Sequence, residues 1–255
     1  MNYYIALAFI LLAYMSIWFV ISLFKKRNDV VDIAWGLGFV IIAWASFLIS
    51  GNFSLRSLLV NFLVSIWGFR LAWHINNRNK EKPEDYRYLA WRKEWGTWFY
   101  LRSYLQVYIL QGVLLYLIIL PILFTNKSIG PALNFINILG VLIWMIGFFF
   151  ESVGDAQLSS FIRNPINKGK LMQSGLWQYT RHPNYFGEVA QWWGLWLIVI
   201  NVPNYLFGII GPLTITILIL KVSGIPMLEK KMSQHQEFAD YKRRTSSFFP
   251  TLPKK

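Results

Sequence analysis

Long apolar stretches alternate with polar segments along this chain, and each stretch runs about twenty residues. At about 1.5 Å per residue, such a stretch crosses a hydrocarbon core of about 30 Å as a helix. Within the stretches apolar and polar residues do not alternate, so they do not read as barrel strands. The pattern predicts spans from Tyr3 to Phe24, Val31 to Ser50, Leu55 to Ile75, Phe99 to Phe124, Pro131 to about Gln157, Pro183 to about Ile200, and Pro203 to about Ser223. Pro121 and Asn126 end the fourth, and Pro183 opens the sixth, where proline suits a first helical turn.

The connecting segments also alternate. The segment at Lys25, Lys26 and Arg27 is basic, Gly51 to Ser54 is neutral, and residues 74–98 are long and charged. Thr125 to Gly130 carries only Lys127, residues 155–182 are long and basic, Asn201 to Asn204 is neutral, and the tail 224–255 is basic. Basic loops mark the cytosolic side. The expectation is an all-α integral membrane protein of about seven helices, N-terminus outside and C-terminus cytosolic, forming a single membrane domain over residues 1–255. The two long loops and the tail exceed what connection requires and share one side, which suggests a cytosol-facing site.

Composition agrees. Of 255 residues, 55% are hydrophobic, beyond a soluble domain's norm. The net charge of +13 would suggest nucleic acid in a soluble protein; here it sits in the loops, so no nucleic-acid partner is expected. Part of that excess suits an anionic cofactor. No cysteine is present, which excludes disulfides and thiolate chemistry. His74, His182 and His235 lack metal-ligand spacing, and no metal is expected. The first apolar stretch has no basic segment before it and no small-residue cleavage site, so it reads as a span and not a signal peptide. No dinucleotide fingerprint, P-loop or nucleophile elbow is present.

Polar residues inside spans are costly and mark pairing or function. Asn184, Glu188 and Gln191 share one helical face, and Glu151 and Asp155 lie four apart at the inner end of the fifth span. Arg70, His74, Asn77 and Arg78 share a face at the inner end of the third, and Tyr104, Tyr108 and Gln111 form a stripe on the fourth. Asp32 opens the second span, where capping competes with a functional role. Arg163, Arg181 and Arg243 stand on the same side as the carboxylates. The bland reading for these groups is interfacial snorkelling or interhelical hydrogen bonding.

The most specific stretch is Ser174-Gly175-Leu176-Trp177-Gln178-Tyr179-Thr180-Arg181-His182-Pro183-Asn184-Tyr185-Phe186-Gly187-Glu188. It resembles the cofactor-binding signature of steroid 5-alpha-reductases and sterol reductases, and more closely that of bacterial steroid-5-alpha-reductase-like membrane proteins. Glu151 and Asp155 match an Asn/Asp pair of that family, and Phe238-Ala239-Asp240-Tyr241 resembles its tail motif. The resemblance covers roughly Asp32 to Pro250, weakly in the first half.

The resemblance implies a multi-pass membrane protein, of the bacterial inner membrane, that binds NADPH on its cytosolic side. It implies reduction of a C=C bond conjugated to a carbonyl in a lipophilic, steroid- or isoprenoid-like substrate arriving from the bilayer. On that basis the cofactor-binding residues are Arg78, Glu151, Asp155, Arg163, Tyr179, Arg181, His182, Asn184, Tyr185, Glu188, Tyr241 and Arg243. An acid and a tyrosine polarise the carbonyl in the family. Asp32 matches the acid, but the tyrosine falls near Trp67, which lacks a phenol; Tyr88, Tyr104 or Tyr108 would replace it, and Tyr88 and Tyr108 join Asp32 as the catalytic candidates. The partners expected are the substrate and membrane lipids, with no protein partner. Two alternatives stand beside this reading. Isoprenylcysteine carboxyl methyltransferases share a similar R-H-P-x-Y-x-G segment and bind S-adenosylmethionine, and a non-enzymatic lipid-binding protein would keep the fold without the cofactor.

Overall fold

The computed structural model describes residues 2–80 and 82–254. Among them there is no strand, only an isolated bridge between Thr180 and Ser246. The helices are α1 (Tyr3–Lys25), α2 (Val30–Ser50), α3 (Leu55–Asn79), α4 (Tyr86–Trp95), α5 (Phe99–Arg102), α6 (Leu110–Ile118), α7 (Leu120–Lys127), α8 (Phe135–Arg163), α9 (Pro183–Ile198), α10 (Tyr205–Gly208), α11 (Ile210–Ile217), α12 (Ile225–Met232) and α13 (Phe238–Arg244). A π-helical stretch, Ser103–Ile109, joins α5 to α6, and another, Leu218–Val222, follows α11.

Six of the described helical segments are long and apolar enough to cross a membrane: Tyr3–Lys25, Val30–Ser50, Leu55–Asn79, Tyr86–Ile118, Phe135–Arg163 and Tyr205–Met232. The pattern predicts seven. The difference is α9, whose 16 residues extend only about 24 Å, short of a full hydrocarbon core. The fourth crossing segment starts earlier than predicted, because Asp85 accepts a hydrogen bond from Arg87 N and caps α4 within the charged loop. Pro121, predicted to end that span, instead sits in the first turn of α7, where its missing N–H costs nothing.

The helices group into two compact units. One comprises the chain up to Ala132 together with Asn201–Ile210. In it α2 and α3 approach closely through Gly36 and Gly68: a Cβ on Gly36 would lie 2.7 Å from Gly68 O, and one on Gly68 would lie 2.6 Å from Gly36 O. Small residues allow such approach where lipid supplies no hydrophobic drive between helices. A buried polar cluster ties α2, α3 and α7. Asn126 Nδ2 donates to Ala43 O (3.1 Å) and Ser46 Oγ (2.5 Å), and Asn61 Nδ2 donates to Asn126 Oδ1 (2.9 Å) and Ser57 O (2.7 Å).

The other unit holds residues Leu133–Ile200 and the chain from Gly211 onward. Its centre is the antiparallel pair α8 and α9. Gly140 meets Gly194 and Gly147 meets Gly187, with Gly154 against Pro183. Asn134 and Asn137 form a reciprocal cap at the start of α8, and Asn137 Nδ2 also reaches Ile198 O on α9 at 3.0 Å.

Candidate functional site

In the second unit, the glycine seam brings the backbones of α8 and α9 close together, and polar side chains also cross between them. Two pairs occur. Gln191 Nε2 donates to Glu151 Oε2 at 2.5 Å, and Asn184 Nδ2 donates to Asp155 Oδ1 at 3.1 Å. Both carboxylates are buried, while Asn184 and Glu188 are half-buried at the head of α9. Asn184 Oδ1 accepts from Tyr185 N at 3.1 Å, which fixes the amide's orientation. The side-chain atoms Ser152 Oγ, His182 Nδ1 and Gln191 Oε1 are buried without a hydrogen-bond partner among the described residues. Buried polar atoms ordinarily find partners, so these three are candidates for contact with a polar ligand. The two carboxylates accept from the two carboxamides, and the unpartnered atoms lie on the same segments.

The segment before α9 is fastened from both sides. Gly175 adopts φ +64°, a conformation that favours glycine, and a Cβ there would fall 2.6 Å from the Gln157 amide. Leu176 N donates to Gln157 Oε1 (2.9 Å), and Trp177 Nε1 donates to Gly154 O (3.1 Å). From the tail, Tyr241 Oη donates to Trp177 O (2.5 Å), Ser246 O accepts from Arg181 N (2.8 Å), and Thr251 N donates to Tyr179 O (3.0 Å). Burial raises the Tyr241 hydroxyl above its ordinary pKa, so it remains a donor.

Arg181 completes this clamp. Its guanidinium is buried, donates to Glu229 Oε1 on α12 through Nε (2.9 Å) and Nη2 (2.5 Å), and donates through Nη1 to Thr245 O. His182, fully buried, places Nε2 3.4 Å from the same Glu229 oxygen and stacks on Tyr185 with centroids 5.7 Å apart. Burial lowers the basicity of His182 below that of a free imidazole and outweighs Glu229's pull in the other direction. The signature segment therefore divides. Arg181, His182 and Tyr241 hold the strand of chain and its tail, Pro183 starts the helix, Gly187 admits α8, and Asn184 joins α9 to Asp155 on α8. Of the other sequence candidates, Arg163 is exposed at the end of α8, Tyr179 is half-buried, and Arg243 is exposed and paired with Asp240.

The first unit carries the remaining candidates. Asp32, in the first turn of α2, has Tyr88 Oη 3.5 Å from Oδ1 and Arg87 Nη2 3.9 Å from Oδ2. Asp85 fixes Arg87 by a bond to Nε at 2.9 Å, and these bonds hold the Asp85 carboxyl below the usual carboxylate range although burial alone would raise it. The neighbouring loop is bolted to the same segment. Arg27 forks onto Asp29 (3.0 and 2.8 Å), Asp85 N donates to Asp29 Oδ2 (3.2 Å), and Asn28 N donates to Glu84 Oε1 (2.6 Å). Tyr108 is fully buried and directs its hydroxyl to Asn28 O at 3.4 Å. Tyr104 Oη lies 2.9 Å from Ser16 Oγ. Of the three tyrosines proposed from sequence, Tyr88 is the one whose hydroxyl meets Asp32. Arg78, grouped by resemblance with the cofactor residues, lies at the end of α3 in this unit and is exposed. Among the described residues, no group of three or more His, Asp and Glu side chains is arranged to hold a metal ion.

Arg87 and Glu229 escaped sequence reasoning. Asp85 at an N-cap position ahead of Arg87 was the available signal for the first; the second, 48 positions from its partner, left none.

A family model matches residues 18–245. The chain belongs to that family, DUF1295, described as a protein of unknown function. An uncharacterized protein of Schizosaccharomyces pombe is 26% identical over 234 residues, covering 78% of this chain and 64% of the relative. The 3-oxo-5-alpha-steroid 4-dehydrogenase 1 of Bos taurus is 27% identical over 114 residues, covering 44% of this chain and 41% of that protein. The matches thus span less than two thirds of either relative's length. No solved structure matches the chain significantly.

Proposed function

We propose that this protein is a membrane-embedded NADPH-dependent reductase of a C=C bond conjugated to a carbonyl in a lipophilic substrate. The observation that carries the reading is the Asp155–Asn184 pair joining α8 to the head of α9, with Glu188 one turn further along. The distant similarity to a 3-oxo-5-alpha-steroid 4-dehydrogenase, a steroid reductase by resemblance, supports it.

In this reading, Asp155, Asn184 and Glu188 bind the carboxamide and ribose hydroxyls of the cofactor. Arg163 at the end of α8 and the loop lysines Lys168 and Lys170, all exposed, supply cations for its phosphates; Arg181 stays committed to Glu229. NADPH held there would supply the hydride for the β-carbon of the enone, with a proton added at the α-carbon. In the first unit, the resemblance assigns Asp32 and Tyr88 to a substrate carbonyl, where a phenol hydrogen bond would stabilise developing charge. Asp32 orients the Tyr88 hydroxyl, and the surrounding apolar helices exclude water. The cofactor side is cytosolic, in a cytoplasmic membrane.

The test is a titration of purified protein with NADPH and, separately, with S-adenosylmethionine. Saturable NADPH binding that is lost in Asn184→Ala and in Glu188→Ala, with helicity and melting temperature retained, supports the reductase. Binding of S-adenosylmethionine alone overturns it in favour of a methyltransferase, and binding of neither overturns it in favour of a non-enzymatic role.

A further inference from the structure

In the first unit, α1 runs antiparallel to the helix formed by Ser103–Ile109 and α6, and two hydroxyl bonds pin the pair. Tyr116 Oη donates to Tyr4 O at 2.8 Å. At the other end Tyr104 Oη meets Ser16 Oγ at 2.9 Å, and Ser16 gives its own hydrogen to Leu12 O, which leaves Tyr104 as the donor. The pins stand twelve positions apart on each helix, Tyr4 to Ser16 and Tyr104 to Tyr116, or about 18 Å. Between them the helices leave a cavity of about 300 Å³. Ala8 on one helix and Gly112 on the other contribute almost no side chain to it. Leu11 and Met15 form a buried floor, 3% and 1% exposed, while Leu12 and Val113 form an exposed rim at 43% and 51%. Both helices belong to segments long and apolar enough to cross the bilayer, so the rim opens sideways into hydrocarbon.

We propose that this slot holds one acyl chain of a bilayer phospholipid. A void between pinned helices forfeits the dispersion contacts of its lining, and a methylene chain restores them without any polar partner. The gap lies between two helices held at both ends, which suits a flexible chain better than a rigid ring system. A bilayer lipid suits it better than the substrate of the proposed reductase. The only hydroxyl in the lining, that of Tyr116, is engaged by Tyr4 O, so a reacting carbonyl would find no donor there. The assignment does not depend on the reductase reading.

The test uses the full chain in vesicles of phosphatidylethanolamine and phosphatidylglycerol doped with a phospholipid carrying a diazirine near mid-chain. After irradiation, mass spectrometry of the peptides should place label on Leu11, Leu12 and Met15 several-fold above that on Phe149, an exposed residue of α8. Ala8→Phe, which fills the slot from its rim, should bring the slot label to the level of Phe149 and leave Phe149 unchanged. Val113→Phe serves the same purpose should Ala8→Phe not fold. Equal labelling at slot and control positions, or slot labelling that survives both variants, overturns the proposal. So does displacement of the slot label by a lipophilic enone that leaves Phe149 labelled, which would make the slot a substrate site.

Discussion

Tyr88 Oη lies 3.5 Å from Asp32 Oδ1, across 56 positions of sequence, because α4 starts within a charged loop and carries Tyr88 onto the first turn of α2. If this pair polarises a carbonyl, Tyr88→Phe and Asp32→Asn should each lower turnover by about 10²-fold or more, the scale of a lost proton-donating group. NADPH affinity should change little. Tyr108→Phe should leave turnover near wild type, since its hydroxyl serves Asn28 O. Steady-state reduction of a panel of lipophilic enones, with NADPH binding measured in parallel, checks this; an unchanged rate in Tyr88→Phe removes the phenol from the mechanism.

The seam between α8 and α9 makes a second prediction. A Cβ on Gly187 would fall 2.5 Å from Glu151 N and closer still to Gly147 O, both of them backbone atoms that cannot rotate away. Gly187→Ala should therefore push the helices apart and cost about 1–3 kcal/mol, the range for overpacking. It should also stretch the Asp155–Asn184 and Glu151–Gln191 pairs. Thermal unfolding in detergent reads the first effect and cofactor affinity the second. A variant as stable as wild type would show that the seam is not tight.

The long spans were legible because burying backbone in lipid demands uninterrupted apolar helix, a signal carried by composition alone. The deficit in α9 was not. Val199 and Ile200 continue the apolar run, but the helix stops at Ile198 and the chain turns there. The signature segment announced itself, while the division of labour inside it did not. Arg181 read as a cofactor-binding residue, and its engagement depends on Glu229 and Thr245, which fold back from far along the chain. Tyr88 could not be told from Tyr104 or Tyr108 in the sequence, because only the folded contact of its hydroxyl with Asp32 separates them.

The clamp on the signature segment is the third prediction. Arg181→Met leaves Glu229 half-buried beside a His182 whose ring is buried, and removing one partner of such a buried pair typically costs about 3–5 kcal/mol. The tail after α13 should loosen first, since Arg181 also holds Thr245 O. Limited proteolysis should cut between residues 245 and 251 faster in Arg181→Met than in wild type. Tyr241→Phe removes one neutral bond to Trp177 O and should cost only about 1 kcal/mol. Equal proteolysis in all three proteins would exclude the clamp.

The last prediction concerns acid. His182 has a folded basicity below its unfolded value, chiefly because burial penalises the charged ring. The unfolded chain then binds more protons than the folded one as pH falls, so the stability that neutral His182 contributes is fully present above the unfolded pKa of about 6.5 and is lost as pH falls below it. The slope reaches at most about 1.4 kcal/mol per pH unit for one such group. Asp85, held below the carboxylate range by Arg87, is also acid-sensitive, but its contribution is lost only as pH falls below about 4. Between pH 7 and pH 5 the melting temperature of the wild type should therefore fall, and in His182→Gln that fall should flatten, whatever the variant's absolute stability. A wild-type melting temperature that is flat from pH 7 to pH 5 would mean that His182 is free to take a proton where it sits, and that the Glu229 carboxylate, 3.4 Å away, offsets its burial.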